Sequence, residues 1–90
     1  MEKKILEYYL QQLPLQQISM PSGAEILSVQ NQMDKIIIYA LVNETEVSVW
    51  RTFDLFATGE IIDDFFERKY IGTVQLEDGT SILHLFERAI

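Results

Sequence analysis

Short apolar runs, rich in Ile, Val, Tyr, Phe and Thr, are separated by turn-forming residues at roughly ten-residue intervals along the whole chain. Runs this short match strands rather than helices, which need ten or more residues to bury a continuous face. No internal repeat, low-complexity tract or linker interrupts the pattern, and 90 residues suffice for one domain and not for two. The expectation is a single all-β, or nearly all-β, domain over residues 1–90: six to seven antiparallel strands closed as a small barrel or packed as a sandwich.

Individual runs can be placed on this frame. Leu15 to Met20 reads as a strand, ended by Met20-Pro21-Ser22-Gly23. Ile26 to Gln32 alternates, which sets Leu27, Val29 and Met33 inward and Ser28, Gln30 and Gln32 outward. After a turn at Asn31 to Asp34, Lys35 to Val42 is almost continuously apolar, the mark of a central strand covered on both faces. Glu46 to Phe56 is long and two-faced. Val47, Val49, Arg51, Phe53 and Leu55 lie on one side, and Ser48, Trp50, Thr52, Asp54 and Phe56 on the other. Residues 61–68 fit one short helix or a folded loop. Lys4 to Leu13 fits an amphipathic helix about as well as a strand, and the tandem Tyr8-Tyr9 favours the strand.

The sharpest local signal is Glu77-Asp78-Gly79-Thr80. Asp-Gly suits the two positive φ angles of a type I′ hairpin. Counting back from that turn pairs Leu76 with Ser81, Val74 with Leu83, Thr73 with His84, Gly72 with Leu85 and Ile71 with Phe86. His84 then shares a face with Ile71, Thr73, Gln75, Ile82 and Phe86.

Composition narrows the setting. The chain has no cysteine, so disulfides, thiolate metal sites and cysteine nucleophiles are excluded. A net charge of −7, with seven scattered basic residues, argues against bulk binding to nucleic-acid backbone. The start Met1-Glu2-Lys3-Lys4 does not open a secretory leader, and no segment reaches the length of a membrane span. These features point to a cytoplasmic protein that binds no membrane.

Several segments are similar to those of a family of small uncharacterised phage and prophage proteins. They are Met20-Pro21-Ser22-Gly23-Ala24-Glu25-Ile26-Leu27-Ser28-Val29-Gln30, Tyr39-Ala40-Leu41-Val42, Thr58-Gly59, Tyr70-Ile71-Gly72-Thr73-Val74-Gln75 and His84-Leu85-Phe86-Glu87. The resemblance runs from about Met20 to Glu87. It implies a phage setting and a compact β fold, and carries no activity with it. Members often have Gly-Thr-Gly-His where this chain has Ala57-Thr58-Gly59-Glu60, so any chemistry of that histidine is absent or displaced here.

The candidate working residues divide by what they can do. Pro21, Ser22 and Gly23 form a turn of defined shape, or else a loop that offers backbone N–H groups to a partner. His84, the only histidine, has neither a nucleophile nor a metal-ligating companion in view and fits a hydrogen-bonded, half-buried role. Glu60, Asp63, Asp64 and Glu67 lack the spacing of a dedicated cation loop. Phe65 and Phe66 among those acids form a candidate docking knob. Trp50 and Phe56 share a strand face that needs cover, and an inward Arg51 needs a carboxylate or a subunit boundary. No catalytic residue, metal or cofactor is expected.

The expected function is therefore non-enzymatic binding. The chain reads as an accessory or counter-defence factor that binds a host protein, or sequesters a small signalling ligand between subunits; a structural or virion-associated part is the alternative. Hydrophobic residues make up 48% of the sequence and occupy both faces of several strands, which favours a homo-oligomer.

Overall fold

The computed structural model describes residues 2–89. Seven strands follow one another: β1 (Lys4–Leu10), β2 (Leu15–Pro21), β3 (Glu25–Gln32), β4 (Lys35–Val42), β5 (Ser48–Ala57), β6 (Arg68–Leu76) and β7 (Ser81–Arg88). They form two antiparallel sheets, one of order β1-β4-β3 and one of order β2-β5-β7-β6. The sheets are not closed into a barrel, so the architecture is the sandwich. No α-helix occurs among the described residues. Residues 4–10 form a strand, with Leu6 and Tyr8 packed on the core and Leu10 buried in it.

β4 occupies the centre of its sheet, as its unbroken apolar run requires. Ile36, Ile38, Ala40 and Val42 face the core, and Ile37 is buried on the opposite side between Tyr9 and Gln30 of the flanking strands. Met20, Phe53, Leu55, Val74, Leu76 and Leu85 supply the other half of the core. Each such side chain contributes about 1.5–3 kcal/mol on full burial.

Three expectations about facing are corrected. A bulge between Ile26 and Ser28 inserts one residue into β3, so Ile26 packs on the core while Leu27 is exposed. Met33 lies in the β3–β4 turn, 93% exposed, rather than inward. Val49 is exposed because β5 runs beyond its sheet partner β7 at this end, where only β2 lies beside it, and Val47 is exposed in the segment just before β5.

The last hairpin keeps the expected register, but its connection is four residues rather than two. Glu77 (φ 53°), Asp78 (φ 55°, ψ 32°) and Gly79 (φ 86°) are all left-handed, Thr80 is helical (φ −78°, ψ −21°), and the Thr80 N–H donates to Glu77 O at 3.1 Å. The pairs from Leu76/Ser81 to Gly72/Leu85 stand in the expected register. Beyond them a bulge between Tyr70 and Gly72 brings Tyr70, not Ile71, opposite Phe86. Ile71 packs on the core instead of joining the face of His84.

The β3–β4 turn, by contrast, has two residues between the paired Gln32 and Lys35, and it is built from less suitable ones, Met33 (φ 54°) and Asp34 (φ 64°). Asp34 is committed: its Oδ1 accepts the Glu77 N–H at 3.0 Å, tying the two hairpin tips together. Met33 makes no comparable bond, so Met33→Asn is expected to raise stability by about 0.5–1 kcal/mol, since Asn tolerates the left-handed region better. The denaturant midpoint of the variant checks this.

β7 lies between β5 and β6, which makes β5 and β6 parallel to each other. The connection from Ala57 to Arg68 must therefore cross back over the length of β7, as a link between parallel strands demands. Residues 58–67 make this return as a folded loop along the outer face of the four-stranded sheet.

Candidate functional site

Two places gather the singled-out residues. The first is a cleft of about 370 Å³ at one end of the seam between the sheets. Gly23 to Leu27 form one wall, Lys69 to Ile71 the other, and Arg51 and Glu87 lie between them. Both flanking strands, β3 and β6, carry their bulges here, and bulges commonly re-aim side chains beside functional sites.

Arg51 points between the sheets and has the carboxylate it needs. Its Nε and Nη2 form a bidentate pair with Glu87, Nη2 to Oε1 at 2.8 Å, and its Nη1 donates to the Ala24 carbonyl at 2.7 Å. The pair is largely shielded from solvent, so its desolvation cost is met by three hydrogen bonds rather than by Coulomb attraction alone. It also fixes the turn that follows β2. There the Ala24 N–H donates to Pro21 O at 3.1 Å and the Ser22 N–H to Val47 O at 2.7 Å, with Gly23 at φ 80°. Two of the N–H groups that an anion would need are thus already engaged, which makes Pro21-Ser22-Gly23 a shaped turn. Lys69, the register partner of Glu87, leaves its side chain exposed at the cleft.

The second place is the outer face of the four-stranded sheet beneath the 58–67 loop. Asp54 is its centre, a buried carboxylate that accepts from Arg68 Nε at 2.9 Å and from Arg88 Nε and Nη2 at 2.9 and 3.0 Å. Burial pushes this carboxyl up, but the hydrogen bonds from Arg88 and Arg68, together with their charges, outweigh it and hold the group below its ordinary range. Arg68 reaches on to the Asp63 carbonyl at 2.8 Å. Arg88 lies 3.9 Å from the Phe66 ring centroid, and Arg68 5.3 Å from that of Phe56. Phe56 and Tyr70 both pack against Phe86, with centroids 5.8 and 5.4 Å away.

His84 belongs to this face and is half-buried, as expected. Its Nδ1 and Nε2 each lie 2.8 Å from a threonine hydroxyl, Thr73 and Thr58, and Thr73 continues the chain to the Tyr70 hydroxyl at 2.5 Å. The hydrogen-bonding partners of the imidazole are hydroxyls, not a carboxylate that could orient it as a base. Phe56, Phe66 and His84 are thus brought together. Phe65 projects away from them, 84% exposed, and Trp50 stands at the far end of β5, 63% exposed. Among the described residues no group of three or more His, Asp or Glu side chains is placed to hold a metal ion.

Sequence reasoning missed Asp54, Arg68, Arg88 and Glu87. The alternation of β7 was a usable signal: Arg88 shares a face with Phe86 and His84, and Glu87 falls inward with Leu85, level with Arg51's side of β5. What was lacking was the strand order that places β7 beside β5.

No helix of the described residues is long and apolar enough to cross a membrane. No curated protein and no solved structure matches the chain. A family model, described as a domain of unknown function (DUF7352), matches residues 1–90, and the chain belongs to that family.

Proposed function

We infer that this chain is a non-catalytic, cytoplasmic binding protein that engages a protein partner through the 58–67 loop and works as a homo-oligomer. One observation carries the reading. Ile61 and Phe65 are 94% and 84% exposed on a loop that is held in place rather than hanging free. Arg68 grips the Asp63 carbonyl, Asp63 Oδ1 caps the Phe65 N–H at 3.0 Å, and Glu67 O accepts the Ala89 N–H at 2.9 Å. An ordered loop gives up little conformational entropy on docking, so its exposed apolar groups can serve as anchors. Glu60, Asp63, Asp64 and Glu67 ring them. The matching surface is an apolar pocket with a basic border.

The resemblance to phage and prophage proteins gives the setting: an accessory or counter-defence factor acting on a host protein. The cleft at Arg51 and Lys69 supports a second reading, the sequestration of a small ligand, because its volume falls in the range of small-molecule sites.

Ile61→Ala/Phe65→Ala tests the first reading. Neither side chain is buried, so the double variant is expected to fold with unchanged stability. Native mass spectrometry of wild-type and variant protein recovered from host lysate is the measurement. A stoichiometric protein passenger seen with the wild type and lost with the variant is expected. Identical passengers on both, or none on either, overturns the role of the loop. A small-molecule passenger favours the cleft, and recovery of the chain in purified particles favours a structural part.

A further inference from the structure

The four strands at the sheet edges are not equally protected. β3 and β6 each carry a bulge, and they lean on one another: Asn31 Nδ2 donates to Gln75 O and Gly72 sits against Val29. β1 begins with Lys4, which pairs with Glu44 at 2.8 Å. β2 has none of these devices. Its sequence, Leu15-Gln16-Gln17-Ile18-Ser19-Met20-Pro21, contains no charge, and its register with β5 runs without a bulge. An uncharged, regular edge is the kind that natural sheets avoid exposing unless something pairs with it.

The hydrogen-bond phase of β2 shows which groups are on offer. Leu55 N–H donates to Pro14 O at 2.9 Å and Ser22 N–H to Val47 O, so the even-numbered residues of this segment turn their backbone groups toward β5. The odd-numbered residues, Leu15, Gln17 and Ser19, turn theirs outward. Proline 21 ends the series with a carbonyl and no donor.

We propose that β2 pairs antiparallel with β2 of a second copy about a two-fold axis at Gln17, which joins the two four-stranded sheets into one of eight. This deepens the homo-oligomer reading above and rests on it. In this register Gln17 faces Gln17 of the other copy, and Leu15 faces Ser19 in both directions. All three outward residues exchange both their bonds, and the register is self-complementary, as an isologous contact requires. Charge favours this occupant. Two copies that each carry −7 repel at most approaches, whereas this edge brings only Leu, Gln and Ser side chains together on the outer face.

Trp50 fits the same arrangement. It is the β5 neighbour of Ser19, and in the dimer Ser19 lies opposite Leu15 of the second copy. Trp50 and that Leu15 are then two strands apart, about 10 Å. The intervening side chain is a serine, small enough for the indole to lean across. Trp50 and Leu15, 63% and 51% exposed in the single chain, cover each other twice across the seam.

Sedimentation of the intact protein over concentrations up to about 100 µM tests the proposal. The wild type is expected to reach a species of twice the chain mass of 10.5 kDa. Gln17→Lys and Gln17→Glu each place like charges opposite one another and should raise the dimer dissociation constant about fivefold or more. An equimolar mixture of the two should recover association as a heterodimer, which only a self-facing position 17 allows. Gln17→Pro removes the outward N–H, leaves the backbone bonds to β5 intact, loses only the exposed bond from the Gln17 amide to Thr52 Oγ1, and should leave a folded monomer. A wild-type monomer over the whole range, or charge variants that associate as tightly as the wild type, overturns the proposal. A dimer unaffected by position 17 keeps the oligomer reading and rejects this edge. The Ile61 and Phe65 comparison reads a different surface and is unaffected by either result.

Discussion

Asp54→Asn is expected to destabilise the protein by about 3–5 kcal/mol, the range for removing one partner from a buried charge network. The replacement is nearly isosteric, so packing changes little. What changes is charge: Arg68 and Arg88 stand side by side as register partners on β6 and β7, and Asp54 is the buried carboxylate they share. An amide at this position also turns an N–H₂ toward one of the two guanidiniums, where it can only oppose another donor. Asp63→Asn is the control. That carboxylate is half exposed and meets Arg68 at 3.3 Å, so its loss should cost under about 1 kcal/mol. Urea unfolding of both variants separates the cases, and similar losses would show that the arginines do not depend on Asp54.

The same carboxylate sets an acid limit. Its folded-state pKa lies below the ordinary value, so its contribution is complete above the unfolded value of about 3.9 and is lost as pH falls through the folded one. Wild-type stability should decline on the acid side of that value. In Asp54→Asn this component of the slope should be missing.

The fold was legible where periodicity and turn chemistry agreed. Lys35–Val42 announced the central strand of a sheet because no strongly polar residue interrupts Ile36 to Val42, although on its outer face only Ile37 is fully buried and Tyr39 and Leu41 are half-buried. Asp78-Gly79 announced a register that holds from Leu76/Ser81 to Gly72/Leu85. The two bulges were not legible, since an inserted residue leaves an apolar run apolar: Ile26-Leu27 and Tyr70-Ile71 read equally well in either phase. Turns of type I′ made of Met33-Asp34 lack the glycine that would have marked them.

The candidate site was legible only as separate residues. Arg51 was seen to need a carboxylate, but Glu87 lies 36 positions away and joins it only because β7 pairs with β5. Asp54 was placed on the correct face of its strand, whereas its arginines come from the beginning of β6 and the end of β7. Such a cluster follows from strand order, and strand order depends on long-range pairing that local patterns do not encode. Trp50 and Phe65 were legible as large apolar residues in need of cover for the opposite reason. Their environment is solvent, and a large apolar residue among polar neighbours shows this in the sequence itself.

Gly72→Ala is expected to cost about 1–3 kcal/mol, although the same change in an open strand position would be neutral or stabilising by about 0.5–1 kcal/mol. The sign turns on one contact. A Cβ built on Gly72 meets Val29 Cγ1 at 2.7 Å, closer than carbon atoms can approach. Val29 cannot swing away cheaply, because a β-branched side chain has few rotamers and this one is buried in the core. The contact also lies where the edge strands β3 and β6 come together, next to the bulge that shapes the cleft. Forcing the strands apart there would loosen both the core and the seam. Val29→Ala makes room at a cost of its own, about 2 kcal/mol for two lost methyl groups. If the approach of the two sheets is the cause, the double variant should be more stable than the sum of the single losses predicts, by about 1 kcal/mol or more. Strict additivity in denaturant unfolding would mean that Gly72 is required for a reason other than the proximity of Val29.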